Sequence, residues 1–302
     1  SLGEIEPAKE NIVQAYQFAK ELARSNPLVA ELRHELVRVD VNRANWERVY
    51  GSRQESLAAA DEAMALLRNL LREDNTNFQY RIDLASVQML RGQLLGLLGQ
   101  GSEASAAYEE SVGLYSDSSL HDLPGISFSL AECRILWGAL LIELMNDGVK
   151  AIPILDENRV LCEKLLTTPR DPLKARIYLA QTRIQLGKAL GKTGEREAGL
   201  TMLQQTVASL ESWLEDYPEH RAIYEELSNA HARTAELHFD LLNGLYEQAN
   251  QAAGDRQASL QKQIAELEGR FIHEMEDIIK WRSRIGSRSD ATAEDLVTWG
   301  QT

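Results

Sequence analysis

Cysteine is nearly absent: Cys133 and Cys162 are the two in 302 residues, too few for a disulfide framework. They read as two buried thiols in a reducing cytoplasm, with a redox pair as the alternative. Long apolar runs are missing too. The longest uncharged one, Ile135 to Ile142, has eight residues, against the roughly 20 that a bilayer-crossing helix needs. The opening Ser-Leu-Gly-Glu-Ile-Glu-Pro has no basic stretch followed by an apolar one. No secretory leader is therefore read there, and a cytoplasmic location is expected. An initiator methionine is also lacking, which suggests a segment boundary or processing. Seven prolines and 19 glycines exclude a fibrous or low-complexity chain, and aromatics make up only 6%. Positive charge is scarce: 32 basic side chains face 46 acidic ones, a formal charge of −14, and residues 205–302 carry 9 basic against 18 acidic. A field of that sign repels phosphate backbones and anionic lipid, so neither nucleic acid nor a membrane is expected as a partner.

What is present is a repeat. Ala15-Tyr16-Gln17-Phe18-Ala19 through Leu36 aligns without a gap on Ala63-Met64-Ala65-Leu66-Leu67 through Leu84, at an offset of 48. Leu22 falls on Leu70 and Arg33 on Arg81. Proline keeps the same period, at Pro27, Pro124, Pro172 and Pro218, with Asn75 filling the gap. A small residue marks a second phase at Ala44, Gly92, Gly138, Gly187 and Ala235. Within each period the apolar spacing is helical, as at Leu66, Leu67, Leu70 and Leu71, and no alternating β-branched run suggests a strand. The pattern predicts helix pairs at 28–50 and 53–74, 77–99 and 101–116, 122–147 and 151–167, 171–193 and 195–216, and 219–250 and 255–286. The corresponding repeats span about 28–75, 76–121, 122–170, 171–217 and 218–286, all within one array over 1–302. A helix at 4–25 takes the second-helix place of a further half repeat, and Ser289-Asp290 caps a short helix at about 290–299. The mid-helix glycines let facing helices approach, and Gly51, Gly99 and Gly194 read as left-handed helix ends. In the third repeat Met145 stands at that place, ahead of a longer loop through Asp147-Gly148. Residues 255–286 read as a charge-rich end cap.

These positions resemble the tetratricopeptide repeat. Gly92, Leu95, Gly99, Ala104, Tyr108 and Ser111 sit at that family's characteristic spacing, as do Ala44, Gly51, Ser56, Ala60 and Ala63. The period exceeds the family's usual ~34 residues by a turn or more per helix. The resemblance implies an all-α, right-handed superhelical stack of antiparallel pairs, whose first helices line a concave groove that binds protein or peptide. Carried over position by position, it places Arg38, Asn45 and Arg48 in the groove, with Asn42 beside them, then Met89 and Gln93, then Gln181, Lys188 and Lys192. Arginine and asparagine suit carboxylate and backbone recognition. The competing reading is that Arg38 and Arg48 pair with Glu35, Glu47 or Glu55 at helical spacing. The phrases "LARSNPLVAELRHELVRV" and "LASVQMLRGQLLGLLGQGSEASAAYEESV" also resemble long-period repeats that follow bacterial, notably planctomycete, serine/threonine protein kinase domains. The chain itself lacks a kinase Gly-rich loop, His-Arg-Asp or Asp-Phe-Gly.

Enzyme signals are weak. Gly92-x-x-x-Gly96-x-x-Gly99-x-Gly101 lies on an expected helix without the strand that precedes a phosphate loop. His273-Glu274-Met-Glu276-Asp277 approximates a zinc-protease helix with aspartate in the last place. His231 and His238 share a helix face, where a structural role is expected, and Trp46, Trp137 and Trp213 read as packing residues. The expectation is a monomeric, non-catalytic scaffold without cofactor or metal, binding a protein or peptide. The alternative is a small-molecule sensor with an enclosed pocket lined by Gln93, Glu132 and Lys188.

Overall fold

The computed structural model describes residues 5–120, 123, 125–167 and 170–286. Among these, every regular element is helical: α1 (Ile5–Ser25), α2 (Ala30–Tyr50), α3 (Arg53–Glu73), α4 (Phe78–Leu97), α5 (Gly101–Tyr115), α6 (Ile126–Glu143), α7 (Gly148–Leu166), α8 (Pro172–Lys192), α9 (Arg196–Asp216), α10 (Arg221–Gln251) and α11 (Asp255–Gly286), with a 3-10 turn at Ser118–Leu120. The helix expected at 290–299 lies outside the described residues. The chain divides into two compact units, Ser1–Asp147 and Gly148–Thr302. In the first, α1 to α6 pack in chain order, each on the next; in the second, α7 to α11 do the same, and α10 also reaches α8. Such nearest-neighbour packing is what a repeat stack requires.

Helix starts follow from local chemistry. Ser52, Asn77 and Asp171 each accept a backbone N–H of the helix that follows, and Pro172 takes a first-turn place where no N–H is needed. Within a pair, the two helices are held close by small residues. A Cβ on Gly92 would lie 2.9 Å from the Tyr108 ring, and one on Gly187 would lie 2.9 Å from Leu203. Ala44 and Ala60 are fully buried between α2 and α3. The pairs are also stitched by hydroxyls: Ser56 donates to the Ala44 carbonyl at 2.6 Å, and Ser111 to that of Ala85 at 2.8 Å. Around these contacts lie Val37, Leu67, Leu70, Leu84 and Val87 in the first unit, and Ile184, Leu203, Leu210, Ile223 and Leu227 in the second. Trp137 is buried, its indole N–H donating to Ser105 at 2.9 Å.

Three details differ from expectation. Gly99 and Gly194 end their helices at φ +77° and +96°, but Gly51 has φ −125° and is not left-handed. Its glycine serves space instead, because a Cβ there would lie 1.8 Å from the Glu47 carboxylate. That carboxylate folds back to accept the Ser52 N–H at 3.1 Å. In the third repeat, Asn146 takes the left-handed place at φ 51°. The Asp147 N–H then closes onto the Leu141 carbonyl at 2.8 Å, so Gly148 opens α7 and lies outside the loop. Finally, α11 covers α10 with Leu260, Ile264, Ile278 and Trp281, yet its outer side is partly apolar, with Ile272 and Ile279 exposed.

Candidate functional site

The first two repeats place the first helices α2 and α4 side by side in the first unit. Between them lies a cavity of about 210 Å³, lined by Val37, Arg38, Val41 and Asn42 from α2 and by Asp83, Ser86 and Val87 from α4. Its floor is apolar because Val37 and Val87 belong to the core beneath it. Its polar groups are largely committed to one another. Asp83 meets His34 Nε2 at 2.5 Å and accepts from Gln79 at 2.9 Å, so both carboxylate oxygens are engaged. Ser86 donates to the Ile82 carbonyl and shares a 2.7 Å hydrogen bond with Tyr115. Asn42 and Asn45 are exposed and make no side-chain hydrogen bond among the described residues, and the same holds for Arg48. Arg38 is 66% exposed and pairs at 2.9 Å with Glu35, itself 58% exposed. An ion pair of that exposure is weak and yields readily to a competing anion. Glu47 is buried on the Ser52 amide and does not pair with Arg48. Helical spacing sets Arg38, Asn42 and Asn45 along one face of α2, with Arg48 three residues on. Met89 and Gln93 follow on α4, both half-buried.

In the second unit the expected residues are already partnered. Gln181 donates to Glu226 at 2.7 Å, and Glu226 is buried and accepts from Asn229 as well. Burial raises the Glu226 carboxyl above its ordinary value, and these two donors pull it back. Lys188 is buried, its ammonium 3.7 Å from Glu236. Lys192 is exposed in the last turn of α8.

Sequence reasoning passed over the His34–Asp83 pair, although a signal was there. The two are 49 residues apart, almost one period, and residues one period apart sit side by side on neighbouring first helices. Gln181–Glu226 and Lys188–Glu236 obey the same rule. It also passed over Asp40, whose carboxyl is 1% exposed, 3.0 Å from Arg43, with neither oxygen in an aligned hydrogen bond. Burial pushes it up to about 7 against the pull of Arg43.

The residues weighed for chemistry are scattered. His273 is exposed on α11, 3.5 Å from Asp277, while Glu274 turns inward to meet His231 Nδ1 at 2.6 Å. His231 and His238 are both buried. Cys133 and Cys162 are buried and free, and burial pushes the Cys133 thiol up to about 12. Among the described residues, no three His, Cys, Asp or Glu side chains are grouped to hold a metal, and no helix is long and apolar enough to cross a membrane.

No protein-family model matches the sequence, and no curated protein matches it. Solved structures do. BtubC (BKLC) from P. vanneervenii is similar at a TM-score of 0.61 and 12% identity, over 95% of this chain and 94% of that one. Nro1, described as a nuclear import adaptor, is similar at a TM-score of 0.45 and 11% identity, over 97% of this chain and 99% of that one. The likeness to BtubC, nearly full-length in both chains, shows that the two share one all-α fold.

Proposed function

We propose that the chain is a non-catalytic scaffold whose first-helix face binds an extended peptide or protein segment, anchored at Arg38, Asn42, Asn45 and Arg48. The observation that carries this reading is the cavity between α2 and α4. At about 210 Å³ it is smaller than a typical metabolite pocket of roughly 300–1,000 Å³ and has room for one side chain. Its acidic group is already engaged by His34 and Gln79, so the donors left facing outward are the Arg38 guanidinium and the Asn42 amide. An apolar side chain in the cavity, with a carboxylate on Arg38 or Arg48 and backbone groups on the asparagines, satisfies both kinds of lining. Met89 and Gln93 extend the track on α4. Gln181, Lys188 and Lys192 are its counterparts in the fourth repeat. The small-residue register at Gly92, Gly138 and Gly187 runs unbroken, which supports one array over 1–302. The acidic balance argues against nucleic acid as partner, and the protein acts as a monomer in the cytoplasm. The sequence resemblance to repeats attached to bacterial serine/threonine kinases supports a regulatory place in such a signalling protein. A small-molecule sensor fits less well, because the cavity between α2 and α4 is smaller than a typical metabolite pocket.

The test is selection from random linear peptides displayed on phage, with binding of the selected peptides measured against wild type and Arg38→Ala/Asn45→Ala/Arg48→Ala. Peptides that bind wild type at least tenfold more tightly than the triple variant support the groove. Failure to select any peptide, or equal binding by both proteins, refutes it.

A further inference from the structure

Three first helices carry an acid at one recurring place, nine residues before the small mid-helix residue: Glu35 before Ala44, Asp83 before Gly92 and Glu226 before Ala235. Two of the three meet a basic side chain. Glu35 pairs with Arg38 at 2.9 Å, and Asp83 meets His34 Nε2 at 2.5 Å. Glu226 meets two neutral amides instead. Gln181 Nε2 donates to one of its oxygens at 2.7 Å, and Asn229 Nδ2 to the other at 3.3 Å. Among the described residues, the charged side chain that bears on it is another acid, Glu225. Yet Glu226 is the most deeply buried of the three. It is 7% exposed, whereas the side chains of Glu35 and Asp83 are 58% and 24% exposed. Burial opposes its charge, but both oxygens accept hydrogen bonds, an arrangement that suits the carboxylate and not the protonated acid.

The register shows where a cation is lacking. Gln181 lies six residues before Gly187, as Arg38 lies six before Ala44. Arg38 of α2 lines a cavity together with Asp83 of the next first helix, and Gln181 of α8 reaches Glu226 of the next first helix in turn. A neutral amide therefore fills the arginine place at the acid of the three that has no counter-ion. A buried carboxylate without a cation costs stability. Such strained ionisable groups concentrate where a ligand completes them. Access is from the first-helix face, where Asn229 is exposed and makes the longer of the two bonds. Residues 205–302, with 9 basic against 18 acidic side chains, add a field that draws cations in.

We propose that Glu226, between Gln181 and Asn229, receives a lysine or arginine side chain from a partner protein segment, which displaces the Asn229 amide. This rests on the reading of the first-helix face as a peptide-binding surface. It gives the second unit a basic anchor on its ligand, where the first unit takes an acidic one. The arriving ammonium or guanidinium makes a charge-assisted hydrogen bond in a site largely closed to water.

The probe is a set of random linear peptides displayed on phage, selected on the whole chain and counter-selected on Glu226→Gln; the survivors are then titrated by fluorescence anisotropy. A basic residue common to them is expected. Its replacement by glutamine should weaken binding at least about tenfold on wild type and less than about twofold on Glu226→Gln, because the lost charge has no partner there. Gln181→Arg, which supplies the cation from within, should weaken binding of the unchanged peptide by at least about tenfold. It serves as the second variant should Glu226→Gln fail to fold, and helical circular dichroism checks all three proteins. If every wild-type binder holds Glu226→Gln as tightly, or if the glutamine replacement costs the same on both proteins, this proposal is overturned while the groove at Arg38 stands. Failure to select any peptide on wild type removes the groove reading, and this one with it.

Discussion

Gly187 and Gly199 meet backbone to backbone: a Cβ on Gly199 would sit 2.6 Å from the Gly187 carbonyl oxygen, and one on Gly187 would sit 3.2 Å from that of Gly199. The contact joins α8 to α9, and the two atoms nearest a Gly199 Cβ, the Gly187 oxygen and the Gly191 nitrogen, are backbone and cannot swing aside as a side chain can. Gly199→Ala should therefore cost about 3 kcal/mol, the upper range for overpacking a rigid core. Gly99→Ala is the control, since a Cβ there meets nothing within 4 Å and the strain comes only from φ +77°; its cost is about 1 kcal/mol. Thermal unfolding followed by circular dichroism compares them. Equal losses, or a larger one at Gly99, would contradict the close-approach account.

Helix order and pairing were legible in the sequence because both rest on local and periodic signals. Leu66, Leu67 and Leu70 declare a helix, and Gly92 declares a close neighbour without naming it. Tyr108 was visible only as the matching position one helix later. Polar pairing across helices was less legible. Asp40 looks like any acidic residue of α2, and only the packing that buries it beside Arg43 sets its carboxyl apart. Glu274 looks solvated among Glu276 and Asp277, and only the packing of α11 on α10 turns it toward His231. Gly51 was misread for a different reason: sequence shows that a glycine is needed but not whether it supplies a dihedral or makes room for the Glu47 carboxylate. The groove positions came from the repeat register, and the two halves fare differently. Arg38 and Asn42 line a cavity, while Gln181 and Lys188 are bonded to α10.

Asp40 predicts a pH dependence. Its folded-state value of about 7 lies above the ordinary carboxylate value of 3.8. A raised acid favours folding while it is protonated, so its contribution is fully present below about pH 4 and is lost as pH rises through 7. The penalty at pH 8 is on the order of 2–4 kcal/mol, by the usual conversion of a pKa difference. Asp40→Asn should therefore stabilise the protein relative to wild type at pH 8 and much less at pH 5. Urea midpoints at the two values check this. A difference between the proteins that is constant with pH would place the Asp40 charge in contact with water.

The thiols should be inert in the folded chain. Cys133 and Cys162 are both fully buried, and the thiol of Cys133 is pushed up to about 12 by its apolar surroundings. The thiolate is the reactive form. Ellman's reagent at pH 8 should label neither cysteine in native protein and both in guanidinium chloride. Rapid labelling of the native protein, or a disulfide formed on mild oxidation, would revive the redox pair.

Glu35 and Arg38 give the last prediction, which tests the groove from the side of its competitor. Their 2.9 Å pair lies in water on both sides, so it adds little stability, roughly 0.2–1 kcal/mol. A ligand carboxylate must displace Glu35 before it can hold Arg38. Glu35→Gln should then leave the unfolding midpoint almost unchanged and tighten binding of a groove-selected acidic peptide by about two- to fivefold, the same energy expressed as affinity. Isothermal titration of both proteins with one peptide measures it. Weaker binding by the variant would mean that Glu35 itself contacts the ligand, and that the partner brings a cation where the groove reading places an anion.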